Sequence, residues 1–492
     1  MSRLSFLTLA LLVGCSSSSF DVLGTPDATG DDTSVTADTG ATTDTGVAED
    51  TSVVEDTSVT TDTGTTETAP TDGGCATEAP DGTAGLFASP SGSDTAGDGS
   101  AAKPFQTIAL AQTKARAAGK VKVYLDQGTY AEAVVIADGS TGIVIEGGWK
   151  KTGATWGRDC GAGARASTII ASPTSPAVLF EKVKTLSGLR RLTVKTKPKG
   201  ATVADTAGES LIGVFIRGNG SRVALDDVEV IAGDAGDGGA AKAGVASAAL
   251  ACTTSCSTGA SGTSSGPGAP ASIPGGYGGS GFLPSDGSPG VKGGDGKMGT
   301  IFGYGGLENC VDDCPAVDCS LACPIASSTP TYAPNGTCGC GGIGGAPGGP
   351  GRGGGASIGL YANGDALDLQ LVNVKITAGN GGKGSAGGLG ADGAMGSPGK
   401  AGEDKTCNVG CNHNPTTCAC QKAYPTTIKG GAAGGTGGAG GRGGNGGAGA
   451  GGPSWSLVAI GASPTVSATD VTYVHGVGGD GSIAGLSGDR FP

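Results

Sequence analysis

The sequence predicts an all-β chain: a solenoid of short strands, interrupted by glycine-rich, disulfide-stapled excursions and preceded by a disordered N-terminal tail. Three observations lead there. A strand–turn–strand unit recurs along the chain, glycine recurs every third residue between the copies, and the net charge is confined to one stretch near the start. Of 492 residues 100 are Gly, against a usual share of about 7%. Aromatic residues make up 4% and there are only two His. That composition excludes a compact α/β enzyme of this length and leaves little room for a His-based metal site or triad. A net charge of −13 excludes a nucleic-acid binder working through basic patches.

The chain opens with Met1-Ser2-Arg3, an apolar run from Leu4 to Val13, and Cys15. A positive start, a short apolar segment and small residues at its end read as a secretory signal over 1–14. Leu12-Val13-Gly14-Cys15 resembles the bacterial lipobox. That resemblance implies a lipid on Cys15, and Ser16 beside it implies export to the outer membrane or cell surface. Several acyl chains give the stable anchoring that one chain does not.

From Ser16 to Gly74 the chain has ten Asp, three Glu and no Lys or Arg. This stretch alone therefore accounts for the charge of the whole protein. Asp-Thr recurs every six residues, from Asp32-Thr33 to Asp62-Thr63. With like charges and almost nothing to bury, residues 15–74 are expected to stay extended as a tether. Stretched out, such a segment spans about 190–210 Å. Calcium loops need a turn glycine and a bidentate ligand at fixed offsets, which this period lacks.

Patterned sequence follows in 75–232. Pro104-Phe105-Gln106-Thr107-Ile108 opens a helix to about Ala118, with Phe105, Ile108, Ala109 and Ala115 expected on one face. Strands are expected at Val121–Leu125, Ala133–Ala137 and Ile143–Glu146, separated by Gly128, Asp138-Gly139 and Gly147-Gly148. The helix, then Val121-Lys122-Val123-Tyr124-Leu125 and Gly128-Thr129-Tyr130-Ala131-Glu132, resemble the N-terminal cap and first coil of the pectin-lyase-like superfamily, especially its bacterial surface members. The resemblance implies a right-handed parallel β-helix with the helix closing its open end. It says little about activity.

The repeat is explicit in Val214–Gly233 and Leu360–Gly379, which align without a gap. Gly218 meets Gly364, Leu225 meets Leu371, Val228 meets Val374 and Val230 meets Ile376. A third copy starts at Leu457 with Val466, Val471 and Tyr473 in step, and a weaker one at Val178 with Leu189, Leu192 and Val194 in step. Each copy reads as one coil that buries its alternate apolar positions against its neighbours. The copies are unevenly spaced, and the extra length always follows the last strand. So 233–356 and 380–453 are excursions from one corner, 357–379 is a coil, and 454–492 holds the last coil and a Gly-rich C-terminus.

Within the excursions Gly recurs at every third position from Gly381 to Gly402 and from Gly431 to Gly452. Shorter glycine runs occupy 275–281, 287–299 and 339–354. Three is the polyproline-II period, which puts every third residue on one edge. Collagen wants abundant Pro, and 431–452 has none. The paired tracts resemble the polyglycine-II bundles of snow-flea antifreeze proteins and some phage tip adhesins. That resemblance implies an antiparallel hairpin of two such helices. A disordered loop and a collagen-like trimer remain alternatives.

Apart from Cys15, fourteen Cys remain, an even number that implies disulfides in an exported protein. Twelve lie in the excursions: Cys252, Cys256, Cys310, Cys314, Cys319, Cys323, Cys338, Cys340, Cys407, Cys411, Cys418 and Cys420. They are expected at the excursion tips, in pairings the sequence does not specify. The outliers Cys75 and Cys160 are expected to bridge across the cap. The C-x3-C and C-x-C spacings differ from zinc ribbons, so no metal and no cofactor is expected. His413 and His475 read as ordinary polar residues.

Clustered charge on one solenoid face would point to polysaccharide chemistry. The candidates are Asp226, Asp227, Lys184, Arg190, Arg191 and Lys195. Asp226 aligns with Val372 and Thr469, so it repeats no acidic ladder, whereas Asp227 aligns with Asn373 and Asp470 as a turn-facing polar ladder. Arg190 and Arg191 alternate along a strand, so only one is expected to face any groove. No catalytic residue is assigned. The expectation is a non-catalytic, lipid-anchored surface protein displaying a Gly-rich bundle for adhesion or envelope structure. Its partners would be the membrane and a glycan or cell-surface component, and no nucleic acid. The alternative is a polysaccharide-binding or polysaccharide-degrading lyase or hydrolase. Three or more carboxylates gathered with Arg or Lys on one face would favour it.

Overall fold

The computed structural model describes residues 78–492 apart from 140, 160–162, 248–254, 312–327, 414–419 and 492. The expected signal segment, lipid site Cys15 and acidic tail therefore lie outside the described residues. Among the described residues the regular structure is mostly β, with two helices, Ile108–Ala117 and Ala164–Ser167. Two parallel sheets carry the fold. One runs through strands Gly85–Ala88, Lys122–Asp126, Val144–Thr152, Ser187–Lys195, Arg222–Ile231, Asp368–Val372 and Thr465–Thr469. The other runs through Val134–Ala137, Val178–Glu181, Leu211–Arg217, Ser357–Asn363, Ser454–Ile460 and Ser487–Arg490.

The strand register is the repeat alignment. Val178, Val214, Leu360 and Leu457 sit side by side in one sheet. Leu189, Leu225 and Leu371 do so in the other, as do Val194, Val230, Ile376 and Tyr473. These apolar rows form one buried cluster. A one-residue slip would turn each row outward, so burial fixes the register.

Thr107 caps the first helix by accepting from the Leu110 N–H. The Glu132 carboxylate accepts from the N–H groups of Ile108 and Ala109, filling donors that a helix start leaves open. The buried face is Ile108, Ala111 and Ala115, with Phe105 beside it. Ala109, expected on that face, is exposed instead, because it lies off the i, i+3, i+7 line.

One corner of the strand stack is left-handed at every level. Arg191, Asp227, Asn373 and Asp470 have φ of 51°, 56°, 50° and 53°. Asn and Asp tolerate this region better than most residues. The Asn373 Nδ2 donates to Asp227 Oδ1 at 3.0 Å, which joins two members of the expected polar ladder.

After Ile231, Thr377 and Val474 the backbone leaves the sheets as extended runs that are neither helix nor strand. In 430–453, Gly437, Gly440, Gly443, Gly446, Gly449 and Gly452 donate in order to Ser397, Ala394, Ala391, Gly388, Ser385 and Gly382. This is the expected antiparallel pairing with 381–402. More runs join it. Gly339, Gly342, Gly345, Gly348, Gly351 and Gly354 donate in parallel to Gly435, Gly438, Gly441, Gly444, Gly447 and Ala450. Gly287, Gly290, Gly293, Gly296 and Gly299 donate antiparallel to Gly351, Gly348, Gly345, Gly342 and Gly339. Gly262, Ser265, Gly268 and Ala271 donate to Ala439, Arg442, Asn445 and Ala448. The glycines are required by the close approach of backbones: a Cβ on Gly441 would collide with the Thr263 carbonyl, and one on Gly444 with that of Gly266.

The short run 275–281 behaves differently. Gly275–Gly278 and Gly281–Pro284 form an antiparallel hairpin. Its Tyr277 and Phe282 cover Phe215, Tyr361 and Trp455 on the outer side of the second sheet. Aromatic burial overrides the glycine period there.

Candidate functional site

A charged cluster lies on the outer face of the first sheet, among its early strands. Glu146 and Arg158 are both buried and pair at 2.5 Å, on facing parts of the hairpin made by Val144–Thr152 and Thr155–Arg158. Arg158 also pairs with Glu78 at 2.9 Å and stacks on the Trp149 ring, 3.5 Å from its centroid. Lys122 reaches Glu146 at 3.4 Å, and Arg191 reaches Glu78 at 3.5 Å. The Arg158 guanidinium beside Glu78 holds its carboxyl below the usual carboxylate range. Burial, reinforced by the Glu146 charge, pushes the Tyr124 hydroxyl up to about 12. Buried charges persist only when paired and hydrogen-bonded, which is the arrangement here.

Beside this network is a hollow of about 180 Å³ lined by Lys122, Glu146, Arg190 and Asp226 among others. Arg190 Nε sits 2.8 Å from Asp226 Oδ2, paired in charge but poorly aligned as a hydrogen bond. Three carboxylates (Glu78, Glu146 and Asp226) therefore gather with Lys122, Arg158, Arg190 and Arg191. Each carboxylate already has a cation partner.

The candidate residues named from sequence divide accordingly. Asp226 and Arg190 meet at the hollow. Asp227 belongs to the left-handed corner, where Arg165 approaches it at 3.6 Å. The Lys184 backbone N–H binds Asp138, and Lys195 ends its strand away from the hollow. The expectation that Arg190 and Arg191 face opposite ways fails. The positive φ at Arg191 breaks the alternation and lets it reach Glu78 on the same face as Arg190. Sequence reasoning missed Glu78, Glu146, Trp149 and Arg158. A carboxylate closing the apolar run Ile143–Glu146 was the one available signal.

The cysteines are only partly described. Cys256 and Cys338 form a disulfide across 82 residues, and Cys340 and Cys407 are also disulfide-bonded. Cys338 and Cys340 are buried within the run 333–356 rather than in a tip loop, so that expectation is corrected. Cys338 stands in step with Gly341 and Gly344, and its bridge to Cys256 occupies that side of the run. Cys75, Cys160, Cys252, Cys314, Cys319, Cys323 and Cys418 lie outside the described residues, as do the side chains of Cys310, Cys411 and Cys420. The bridge expected between Cys75 and Cys160 thus lies outside the described residues. His475 lies 3.9 Å from Asp489. Among the described residues no group of three His, Cys, Asp or Glu is arranged to hold a metal.

The glycine runs form the other distinctive surface. In 434–448, two residues of every three are glycines packed against neighbouring runs, and the third carries a side chain or, as Ala, a methyl. That third position holds Thr436, Ala439, Arg442, Asn445 and Ala448, of which Thr436, Arg442 and Asn445 are exposed. The matching positions of 383–401 hold Lys383, Ala386, Leu389, Asp392, Met395, Pro398 and Ala401, all exposed. Proline fits there because it has no N–H to leave unpaired. No protein-family model, curated protein or solved structure matches the sequence.

Proposed function

We propose that this is a lipid-anchored protein of the bacterial outer membrane or cell surface, held by Cys15 and an acidic tether. Its sheets are read as a right-handed parallel β-helix, and its glycine runs as a polyglycine-II bundle displayed for adhesion or envelope structure. The observation that carries the reading is the third-position rule. In 434–448 two glycine rows pack against neighbouring runs, and there and in 383–401 one row of varied side chains recurs at a fixed spacing of roughly 9 Å, three residues at the polyproline-II rise. A purely structural filler has no need of exposed Leu389 and Met395 in such a row. The test is binding of the full-length protein to whole cells and a glycan array. A variant carrying Leu389→Ser and Met395→Ser should bind less while melting as the parent does. Equal binding by both would remove the display reading.

The second reading, a polysaccharide-binding or polysaccharide-degrading protein, is supported by the hollow between Lys122, Glu146, Arg190 and Asp226. The pairing of every carboxylate there weighs against it as an acid–base site. Release of unsaturated products from a uronate polymer, abolished by Asp226→Asn, would make it the better reading.

A further inference from the structure

Half of the ten asparagines are followed by glycine: Asn219, Asn335, Asn363, Asn380 and Asn445. Asn–Gly is the dipeptide most prone to spontaneous deamidation, because glycine has no Cβ to shield its backbone nitrogen. That nitrogen loses its proton and attacks the Asn Cγ. The Cγ–Nδ2 bond of the carboxamide breaks, ammonia leaves, and water opens the cyclic imide to Asp or to isoaspartate. Isoaspartate carries one extra carbon in the backbone. Two groups must be free for the ring to close: the glycine N–H and the Asn carboxamide.

In this fold both are engaged at all five places. The N–H of Gly220 donates to Asp365 O at 2.7 Å, Gly336 to Gly303 O at 3.1 Å, Gly364 to Ile460 O at 3.0 Å, Gly381 to Val477 O at 2.9 Å, and Gly446 to Gly388 O at 2.8 Å. Asn219 Oδ1 accepts from the Asp365 N–H at 3.0 Å, and its Nδ2 donates to Asp365 Oδ2 at 3.2 Å. Asn335 accepts from Gly305 at 2.9 Å, Asn380 from Val477 at 3.0 Å, and Asn445 from Gly390 at 3.0 Å. Asn363 Nδ2 donates to the Tyr361 hydroxyl at 3.3 Å. None of the five side chains is buried, so hydrogen bonding and not exclusion of water protects them.

We propose that these five asparagines are latent modification sites. The folded register suppresses their deamidation, and opening of the ladders converts them in a reaction that hinders reclosure. At Asn219 the product carboxylate would face the Asp365 carboxylate that the Asn now donates to. At Asn380 it would lie beside Asp234, whose Oδ1 accepts from the Asn380 N–H at 2.7 Å. At Asn335 and Asn445 an extra backbone carbon would throw out the three-residue register. The proposal is independent of what the surface binds.

The test holds the native full-length protein and the same protein in guanidinium chloride in one warm, mildly alkaline buffer, and maps each Asn–Gly peptide by mass spectrometry. All five should convert in denaturant, and each should be slower in the native protein by roughly 100-fold or more, the factor set by the opening free energy. Conversion of native Asn219, Asn380 or Asn445 at the denatured rate overturns the proposal. Asn219→Asp and Asn380→Asp should each melt below the parent. If both melt with it, the claim about reclosure is lost.

Discussion

At the residue scale, space and charge decide which positions tolerate change. Gly444 faces the Gly266 carbonyl, so Gly444→Val has nowhere to put its side chain. It should cost about 3 kcal/mol, at the upper end for overpacking, and lower the melting temperature clearly. Thr436→Ala, at an exposed third position, should stay within about 0.5 kcal/mol. Glu146 and Arg158 behave in the opposite way to surface pairs, because both are buried. Removing one partner, as in Glu146→Gln, should destabilise by about 3–5 kcal/mol, measured by denaturant unfolding. Glu78 adds a pH dependence. Its folded-state pKa is lowered, so in acid the unfolded state binds more protons than the native one. Its contribution is present above the ordinary Glu pKa of about 4.3 and is lost as pH falls through the lower folded value. Glu78→Gln should flatten that part of the stability–pH curve.

At the element scale, the strands are legible in the sequence and the side-chain network is not. Two ungapped copies, Val214–Gly233 and Leu360–Gly379, carry the sheet register in their apolar positions. Period-two burial makes that inference sound. The Glu146–Arg158 pair is invisible there because Arg158 arrives on a separate strand whose antiparallel pairing no local pattern announces. The hairpin Gly275–Pro284 escapes for a similar reason: its glycine spacing says extended run, while Tyr277 and Phe282 find an aromatic surface. The run 257–271 is tied to 333–356 by Cys256–Cys338. Replacing both with Ala should cost about 2–4 kcal/mol. Amide exchange should rise first at Gly262 and Gly268. Unchanged exchange there would show that hydrogen bonds alone hold this run.

At the scale of the whole molecule, the sheets and glycine runs share one stacking order. The Ala232 N–H donates to Thr377 O, and three residues on the Ala235 N–H donates to Asn380 O. Adjacent strands thus hand their neighbours on to adjacent runs without a break. The glycine runs bury almost no apolar side chains, so the hydrophobic driving force sits in the sheets. Leu371→Ala, deep in that core, should cost about 2–5 kcal/mol. It should also loosen the amides of Gly382 and Gly388, in the run that follows. Exchange that rises in the strands but not in those glycines would mean the two parts unfold separately.

The sequence alone determined the all-β class, the strand register, the first helix and the three-residue glycine period. Each is a local or repeating pattern, and a repeat states its own alignment. Tertiary structure alone decided how many glycine runs join, which carbonyl each N–H meets, that Arg191 turns left-handed toward Glu78, and that Cys256 reaches Cys338. These depend on which distant segments become neighbours. A glycine with no side chain cannot name its partner; only the packed backbone around it does.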